Sequence, residues 1–244
     1  MIDPPRTAMV LAAGLGTRLR PMTETVPKPL IEINGRTLLD HAIDRLVLVG
    51  VETVVVNVHY NAAMLLGQLA RRHHPRIEIS HEAELLDTGG AVVRALPLLD
   101  DVFFVVNSDV FWLDGNDPAL HRLAAAFDPE RMDAVILLQR TATAVGYEGN
   151  GDYRVDASGS PHRRRDGEVA PLLFAGLQLL HRRAFAGIHD RVFSLVGVFD
   201  RAEQTGRLHA VTHDREWYHI GTPQGLAATR ERLSSNRASG SKGC

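Results

Sequence analysis

Apolar residues fall into two alternating patterns along this chain. Short runs rich in β-branched residues, Ala8–Ala13, Thr53–Val58, Ile77–Ser80, Val102–Asn107 and Asp133–Leu138, read as strands buried on both faces. Between them the spacing becomes helical. Leu38–Val47 carries apolar residues at Leu38, Leu39, Ala42, Ile43 and Leu46, Met64–Ala70 and Gly90–Leu98 look similar, and Ala119–Phe127 places Leu120, Leu123, Ala124 and Phe127 on one face. Strands alternating with helices predict an α/β fold, a mostly parallel central sheet with helices on both faces. Such sheets bind ligands beyond the C-terminal ends of their strands. The loops after Ala13 and after Asn107 are therefore the first places to look for chemistry.

The pattern changes at Thr141. Gly146–Gly167 is rich in Gly, Asp, Ser and Arg and predicts a loop with a short hairpin turning at SGSP, residues 158–161. A strand over Leu172–Leu180 follows, then a helix near Arg182–Ala186, another over Phe193–Gln204, and a strand over Leu208–Thr212. Pro223 opens a last helix to Leu233, since proline suits the first helical turn. Residues 234–244, SSNRASGSKGC, are small and polar and are expected to be disordered.

Composition removes several function classes. The chain has 244 residues, 45% hydrophobic and 23% charged, enough apolar material for a substantial core. Its 27 basic and 29 acidic residues leave a formal charge of −2, without the basic footprint of a nucleic-acid binder. The single cysteine, Cys244, permits no intramolecular disulfide, which points to a reducing compartment. No run approaches the ~18 apolar residues of a membrane span, and the N-terminus lacks signal-peptide order. A cytoplasmic protein with neither membrane nor nucleic-acid partner is expected.

The loop after the first strand holds Gly14 and Gly16, then Thr17 and Arg18. Glycines there let backbone N–H groups approach a phosphate closely. The dinucleotide fingerprint fails, because Leu19 stands where its third glycine belongs, and the Walker pattern fails as well. What remains is G-x-G-T-R, then Pro21, then Pro27-Lys28-Pro29. Arg18 brings a planar, permanent charge suited to phosphate oxygens. Lys28, between two prolines, has a restricted backbone and can meet a polyphosphate at little ordering cost.

LAAGLGTRLRPMTETVPKPL, Leu11–Leu30, resembles the signature of the nucleotidyltransferases that join a sugar 1-phosphate to a nucleoside triphosphate, and every fixed position is present. The following IEINGRTLLDHAIDRL is also similar, with Thr37 in place of the common proline, a change of little expected chemical consequence. The resemblance runs from about Met9 to Leu233. It implies a Rossmann-like, GT-A-like domain over residues 1–233, with a donor half to about residue 140, an acceptor half beyond it and a small sugar-binding insertion. It implies nucleotide binding by Ala12, Ala13, Gly14, Gly16, Thr17, Arg18, Lys28 and Asn107, and catalytic roles for Arg18, Lys28 and Asp109. The segment from Glu82 to Gly90 resembles the family's base-pocket loop and assigns Thr88 and Gly89 to the nucleobase. Asp87 or Thr88 also reads as a helix N-cap, and both readings can hold.

Asn107-Ser108-Asp109 resembles the family's metal motif, which makes Asp109 the principal ligand of Mg²⁺, an ion that favours one or two carboxylates plus substrate phosphates. Near the end, Trp217-Tyr218-His219-Ile220-Gly221-Thr222 keeps the family's frame but puts His219 where relatives carry a second aspartate. Imidazole suits Mn²⁺, Zn²⁺ or Co²⁺ better than Mg²⁺. Three possibilities stay open: Asp109 and phosphates alone, a softer metal through His219, or His219 as a phosphate donor. On the acceptor side, Gly151-Asp152-Tyr153 resembles a segment of relatives acting on N-acetylmuramate 1-phosphate, with Asn150 replacing an arginine. Phe174-Ala175-Gly176-Leu177 resembles a strand whose glycine, here Gly176, lets the sugar approach. The run Arg163–Arg165 reads as a solvated loop. The implied reaction makes a nucleoside-diphosphate sugar and pyrophosphate. The N-acetylmuramate 1-phosphate branch with UTP fits first, and mannose, glucose or heptose 1-phosphates with GTP or another triphosphate come next. A non-catalytic nucleotide-sugar sensor is the reading from a different class.

Overall fold

The computed structural model describes residues 3–240, with side chains through residue 235. In chain order the strands are β1 (Thr7–Leu11), β2 (Glu32–Ile33), β3 (Arg36–Thr37), β4 (Thr53–Val58), β5 (Arg76–His81), β6 (Val102–Asn107), β7 (Val110–Trp112), β8 (Ala134–Arg140), β9 (Ala144–Val145), β10 (Tyr153–Val155), β11 (Pro161–Arg163), β12 (Leu172–His181), β13 (Leu208–Thr212) and β14 (Trp217–His219). The helices are α1 (Met22–Thr25), α2 (Leu38–Leu48), α3 (Ala62–Leu69), α4 (Asp87–Ala95), α5 (Ala119–Ala126), α6 (Leu195–Gln204) and α7 (Pro223–Gly240).

The main sheet runs β11-β10-β12-β6-β1-β4-β5, with β8 and β13 branching from β12. Strands β6, β1, β4 and β5 pair in parallel, as do β13 and β8. The long strand β12 runs antiparallel to β6, β8 and β10 and divides the two halves. The β-branched runs earn their burial by alternation. Val54, Val56 and Val58 point into one core with Leu39, Ile43 and Leu123, while Val55 points into the other with Val92, Val198 and Phe199. The central sheet is thus covered on both faces, and the parallel strands end in one crevice.

Several boundaries differ from expectation. The helix expected over Gly90–Leu98 begins at Asp87 and tightens into a 3₁₀ turn over Leu96–Leu98, where Pro97 cannot supply an α-helical N–H. The segment after β12 is likewise a 3₁₀ turn, Arg182–Phe185, and α6 starts two residues late because Ser194 caps it, its Oγ accepting from Val196 N–H. The last helix runs on to Gly240, past the expected end at Leu233. Neither proline nor glycine interrupts residues 234–239. The final four residues, with Cys244, lie outside the described residues. Among the described residues no helix is long and apolar enough to cross a membrane.

Thr37 has more consequence than its sequence suggests. Its Oγ accepts from Asp40 N–H at 3.0 Å, capping α2, and its hydroxyl donates to Asp40 Oδ2 at 2.7 Å. Gln68 and Arg72 donate to the same carboxylate at 2.6 Å each, joining α3 to α2. Burial pushes Asp40 up, but these bonds outweigh it and hold its carboxyl below the ordinary range. Thr37→Ala is expected to cost about 1 kcal/mol, a melting-point fall of roughly 2–4 °C. Asp40→Ala should cost more, because it removes the acceptor shared by Thr37, Gln68 and Arg72 and leaves the mostly buried Arg72 with Asp44 as its one remaining carboxylate partner. Equal melting points for the two variants in thermal denaturation would contradict this ranking.

Candidate active site

Beyond the C-terminal ends of β1, β4 and β6 lies a cleft of about 480 Å³. Its walls include the loop from Ala12 to Arg18, Lys28, Thr88, Asn107 and Asp109. These are most of the positions expected for a triphosphate, drawn together from segments almost a hundred residues apart. Gly16 adopts a left-handed φ of 63°, and a Cβ on it would lie 3.0 Å from Thr23 Cγ2 and 3.2 Å from Lys28 Cβ. Thr23 fixes the loop by donating to the Gly16 carbonyl at 2.9 Å. The glycine serves close packing of the loop onto Lys28 as well as open space above it.

At the cleft floor, Lys28 Nζ meets Asp109 Oδ2 at 2.8 Å. The lysine side chain is 10% exposed and the aspartate's 32%. Lys28 is presented by a 3₁₀ turn, Lys28–Leu30, entered from Pro27 and continued through Pro29. Asp109 follows β6, and the preceding Ser108 locks the turn with two bonds to the Leu11 carbonyl, from its Oγ at 2.6 Å and its N–H at 3.2 Å. Burial pushes the Asp109 carboxyl up, yet Lys28, and then His219 and Arg18, hold it below its ordinary value. It is ionised at neutral pH and ready to take a cation or give up its lysine.

His219 reaches this floor through a small second sheet. Strand β14 pairs antiparallel with β7, so that His219 lies opposite Val110, next to Asp109. The imidazole stacks on Trp217, with planes 3° apart and centroids at 6.1 Å, and meets the Tyr147 ring edge-on at 5.9 Å. A Cβ on Gly221 would lie 2.4 Å from the imidazole Nε2 and Cε1, so the glycine makes room for the ring. Burial lowers its basicity, as do Lys28 and Arg18, against opposing pulls from Asp109 and a backbone bond to Gly146. The ring is neutral at neutral pH. Among the described residues no three His, Cys, Asp or Glu side chains cluster as a self-sufficient metal cage. One ionised carboxylate facing the cleft suits a divalent cation that completes its shell with phosphates and water.

The base-pocket expectations divide. Thr88 lines the cleft, but Gly89 does not: its N–H donates to Phe193 O at 2.8 Å, and a Cβ on it would collide with the Phe193 ring. Neither Asp87 nor Thr88 is the N-cap of α4. Leu86 occupies that position without a side-chain bond, while the Thr88 hydroxyl accepts from Leu195 N–H at 2.9 Å and ties α4 to α6. Asp87 turns the chain into the helix with a left-handed φ of 57°.

A brace that the sequence reading passed over lies beneath the cleft. Ala12 N–H donates to Asn57 Oδ1 at 2.7 Å, Asn57 Nδ2 to Glu82 Oε1 at 2.7 Å, and Leu86 N–H to Glu82 Oε2 at 3.2 Å. Asn57 and Glu82 are 4% and 2% exposed. This chain of bonds sets the loop after β1 against the loop that leads into α4. Its signal was a lone amide in an otherwise apolar run, TVVVNV.

A second cavity, about 270 Å³, adjoins the first and shares Thr88 and Asn107 with it. Asp152 lines it, with Oδ2 accepting from Phe174 N–H at 2.8 Å. Gly151 and Gly176 do not line it. Gly151, at φ 72°, would put a Cβ 2.1 Å from the Ala170 carbonyl oxygen, and Gly176, in the irregular stretch of β12 at φ 81°, packs on Asn107 and Val110. Both glycines shape the wall from behind.

Two predictions follow from this geometry. Asn57→Ala strands a buried carboxylate oxygen and a buried N–H, and should destabilise the fold by about 1–3 kcal/mol. A weakened gain in melting temperature on adding nucleoside triphosphate should accompany it, and a variant matching the parent in both melts would refute the brace. The lowered His219 basicity means that the unfolded chain binds more protons than the folded one as pH falls through the ordinary histidine range. His41, His181, His209 and His213 are lowered by burial in the same way. These five groups therefore contribute stability above about pH 7 that declines toward pH 5.5, against the opposite contribution of His162, which Asp156 raises. His219→Gln should flatten part of that slope in melts across this window.

Comparison with known proteins accords with the geometry. Residues 7–149 match the family model described as nucleotidyl transferase. The N-acetylmuramate alpha-1-phosphate uridylyltransferase of Caulobacter vibrioides is 41% identical over 240 residues, 96% of this chain and 99% of that protein. A mannose-1-phosphate guanyltransferase of Aspergillus fumigatus is 39% identical over 89% of this chain but 61% of its own length. Among solved structures, a UDP-glucose pyrophosphorylase complexed with UDP-glucose superposes with a TM-score of 0.77 at 14% identity, covering 95% of this chain and 99% of the other. The inositol-1-phosphate CTP transferase from T. maritima gives 0.76 at 19%, over 95% and 96%. Glycine loop, buried lysine, cleft-floor carboxylate and these similarities agree: the chain belongs to the nucleotidyl transferase family and is an enzyme of its sugar-1-phosphate branch.

Proposed function

We propose that this chain transfers the uridylyl group of UTP to N-acetylmuramate α-1-phosphate, releasing pyrophosphate, as a cytoplasmic step of cell-wall recycling. The observation that carries this reading is the near full-length similarity to the Caulobacter vibrioides uridylyltransferase. Two cavities that share Thr88 and Asn107 support it, since two substrates that react with each other need adjoining sites.

The reaction needs no strong base, because a phosphate monoester is largely ionised at pH 7 (second pKa about 6). An oxygen of the sugar phosphate bonds to the α-phosphorus, the bond between that phosphorus and the bridging oxygen to the β-phosphorus breaks, and pyrophosphate departs with the electron pair. Catalysis rests on positioning and charge neutralisation. Backbone N–H groups of the Gly14–Thr17 loop, with Arg18, hold the β- and γ-phosphates. Lys28 exchanges Asp109 for an α-phosphate oxygen and stabilises the charge that grows there. Asp109 would hold the divalent cation, Mg²⁺, which would supply Lewis-acid charge to the phosphates. His219, neutral and fixed by Trp217 and Gly221, backs this carboxylate and donates no charge. The mannose 1-phosphate reading with GTP draws support from the Aspergillus fumigatus similarity and makes the natural comparison.

Pyrophosphate release measured over UTP, GTP, CTP and ATP against N-acetylmuramate, mannose and glucose 1-phosphates is expected to be highest for UTP with N-acetylmuramate 1-phosphate. Dominance of GTP with mannose 1-phosphate would overturn the reading. Lys28→Ala should lower kcat by about 10²–10³, the scale of removing one transition-state donor, and Asp109→Ala by at least as much. A folded variant of either kind with full turnover would reject the assigned roles. His219→Asn should keep the parent's preference between Mg²⁺ and Mn²⁺, and a selective loss with Mn²⁺ would make His219 a ligand.

A further inference from the structure

The basic run on the acceptor side looks uniform in sequence, but the fold gives its three members different surroundings. Arg163 gives Nε and Nη2 to the two oxygens of Asp200 on α6 at 2.5 and 2.8 Å, so its charge is spent. Arg165 is exposed on the loop. Arg164 is half-buried and lines the second cavity. Its Nε donates to Gly151 O at 2.6 Å, and Nη1 lies 3.3 Å from the carbonyls of Arg165 and Glu168.

All three of these partners are neutral. Among the described residues Arg164 forms no ion pair, and these bonds leave Nη2 without a protein partner. A permanently charged group is thus fixed on a cavity wall without a carboxylate in direct contact, although Asp152 and Asp166 line the same cavity. Because the guanidinium is already held, binding an anion costs little further ordering. Its free Nη2 turns two N–H donors and a permanent charge toward an anionic oxygen. Nearby, the Asp152 carboxylate can only accept hydrogen bonds, which suits sugar hydroxyl or amide groups.

The anion could be the sugar's own 1-phosphate or a carboxylate elsewhere on the sugar. Position separates the two. Lys28 and Asp109 line the first cavity and not the second, whereas Arg164 lines the second and not the first. The reacting phosphate must reach Lys28, so it lies at or beyond the Thr88–Asn107 junction, away from the wall that carries Arg164. We propose that Arg164 binds a carboxylate carried on the sugar ring and so selects acidic sugar 1-phosphates over neutral ones. This rests on the acceptor reading above and names the residue that enforces it.

The test compares two acceptors that differ in one charge: N-acetylmuramate 1-phosphate and its carboxamide, in which the lactyl carboxylate becomes a neutral amide of equal size. The parent should use the amide with a kcat/KM about 10–100-fold lower, mostly through KM, the scale of a lost hydrogen bond between charged groups. Arg164→Gln should use both acceptors about equally, near the parent's value for the amide, and Arg164→Lys should recover part of the preference. The ratio is internal to each protein, so a partly unfolded variant does not distort it. Equal losses on both acceptors in Arg164→Gln, or a parent indifferent to the charge, would overturn the inference and leave the uridylyltransferase reading standing. A parent that turns over neither acceptor with UTP, yet releases pyrophosphate with another sugar 1-phosphate, would overturn that reading first.

Discussion

An ammonium and a carboxylate 2.8 Å apart at the floor of a cleft are the contact on which the site depends. Lys28 is nearly buried, and a buried charge persists only with a partner. The pair is therefore a constraint on everything around it. The proline-flanked turn must hold the lysine inward, Gly16 must leave room over its Cβ, and β6 must end where Asp109 can meet it. The same pairing stores the two charges that phosphoryl chemistry needs. A polyphosphate offers the lysine a stronger anion, and a divalent cation offers the carboxylate a stronger cation, so substrate can open the pair without leaving either group alone.

Topology decides which side of that pair does what. The parallel strands β6, β1, β4 and β5 deliver the phosphate loop, the Asn57–Glu82 brace and Asp109 to one crevice. The antiparallel strand β12 then turns the sheet over, and its irregular stretch at Gly176 fits against Asn107, the residue shared by both cavities. The two cavities meet at this seam. The small sheet of β7, β14 and β9 adds His219 and Tyr147 on its flank, and the Tyr147 oxygen accepts from Gly151 N–H at 3.1 Å. One tyrosine thereby touches both His219 beside the first cavity and the Gly151 loop behind the second.

How much of this was legible depended on whether the cause was local. Buried strands announce themselves by β-branched runs, and the phosphate loop by glycines whose backbone geometry few other residues allow. Lys28 was legible because its prolines are adjacent in sequence. Capping was not, because it is settled by tertiary partners: the Thr88 hydroxyl is claimed by Leu195, more than a hundred residues away, and Thr37 matters through Asp40, Gln68 and Arg72. Gly89 suited a base contact by motif, but Phe193 occupies its N–H. The three adjacent arginines were the least legible, since only the fold shows that one is neutralised by Asp200 while the next lines a cavity with neutral partners.

The exchange at Lys28 and Asp109 can be seen directly in a crystal structure with a non-hydrolysable UTP analogue and Mn²⁺, whose anomalous signal locates the metal. The account predicts Lys28 Nζ on an α-phosphate oxygen, beyond hydrogen-bond reach of Asp109, with Mn²⁺ on the Asp109 carboxylate. An intact Lys28–Asp109 pair beneath a fully bound nucleotide, with the metal held elsewhere, would contradict it.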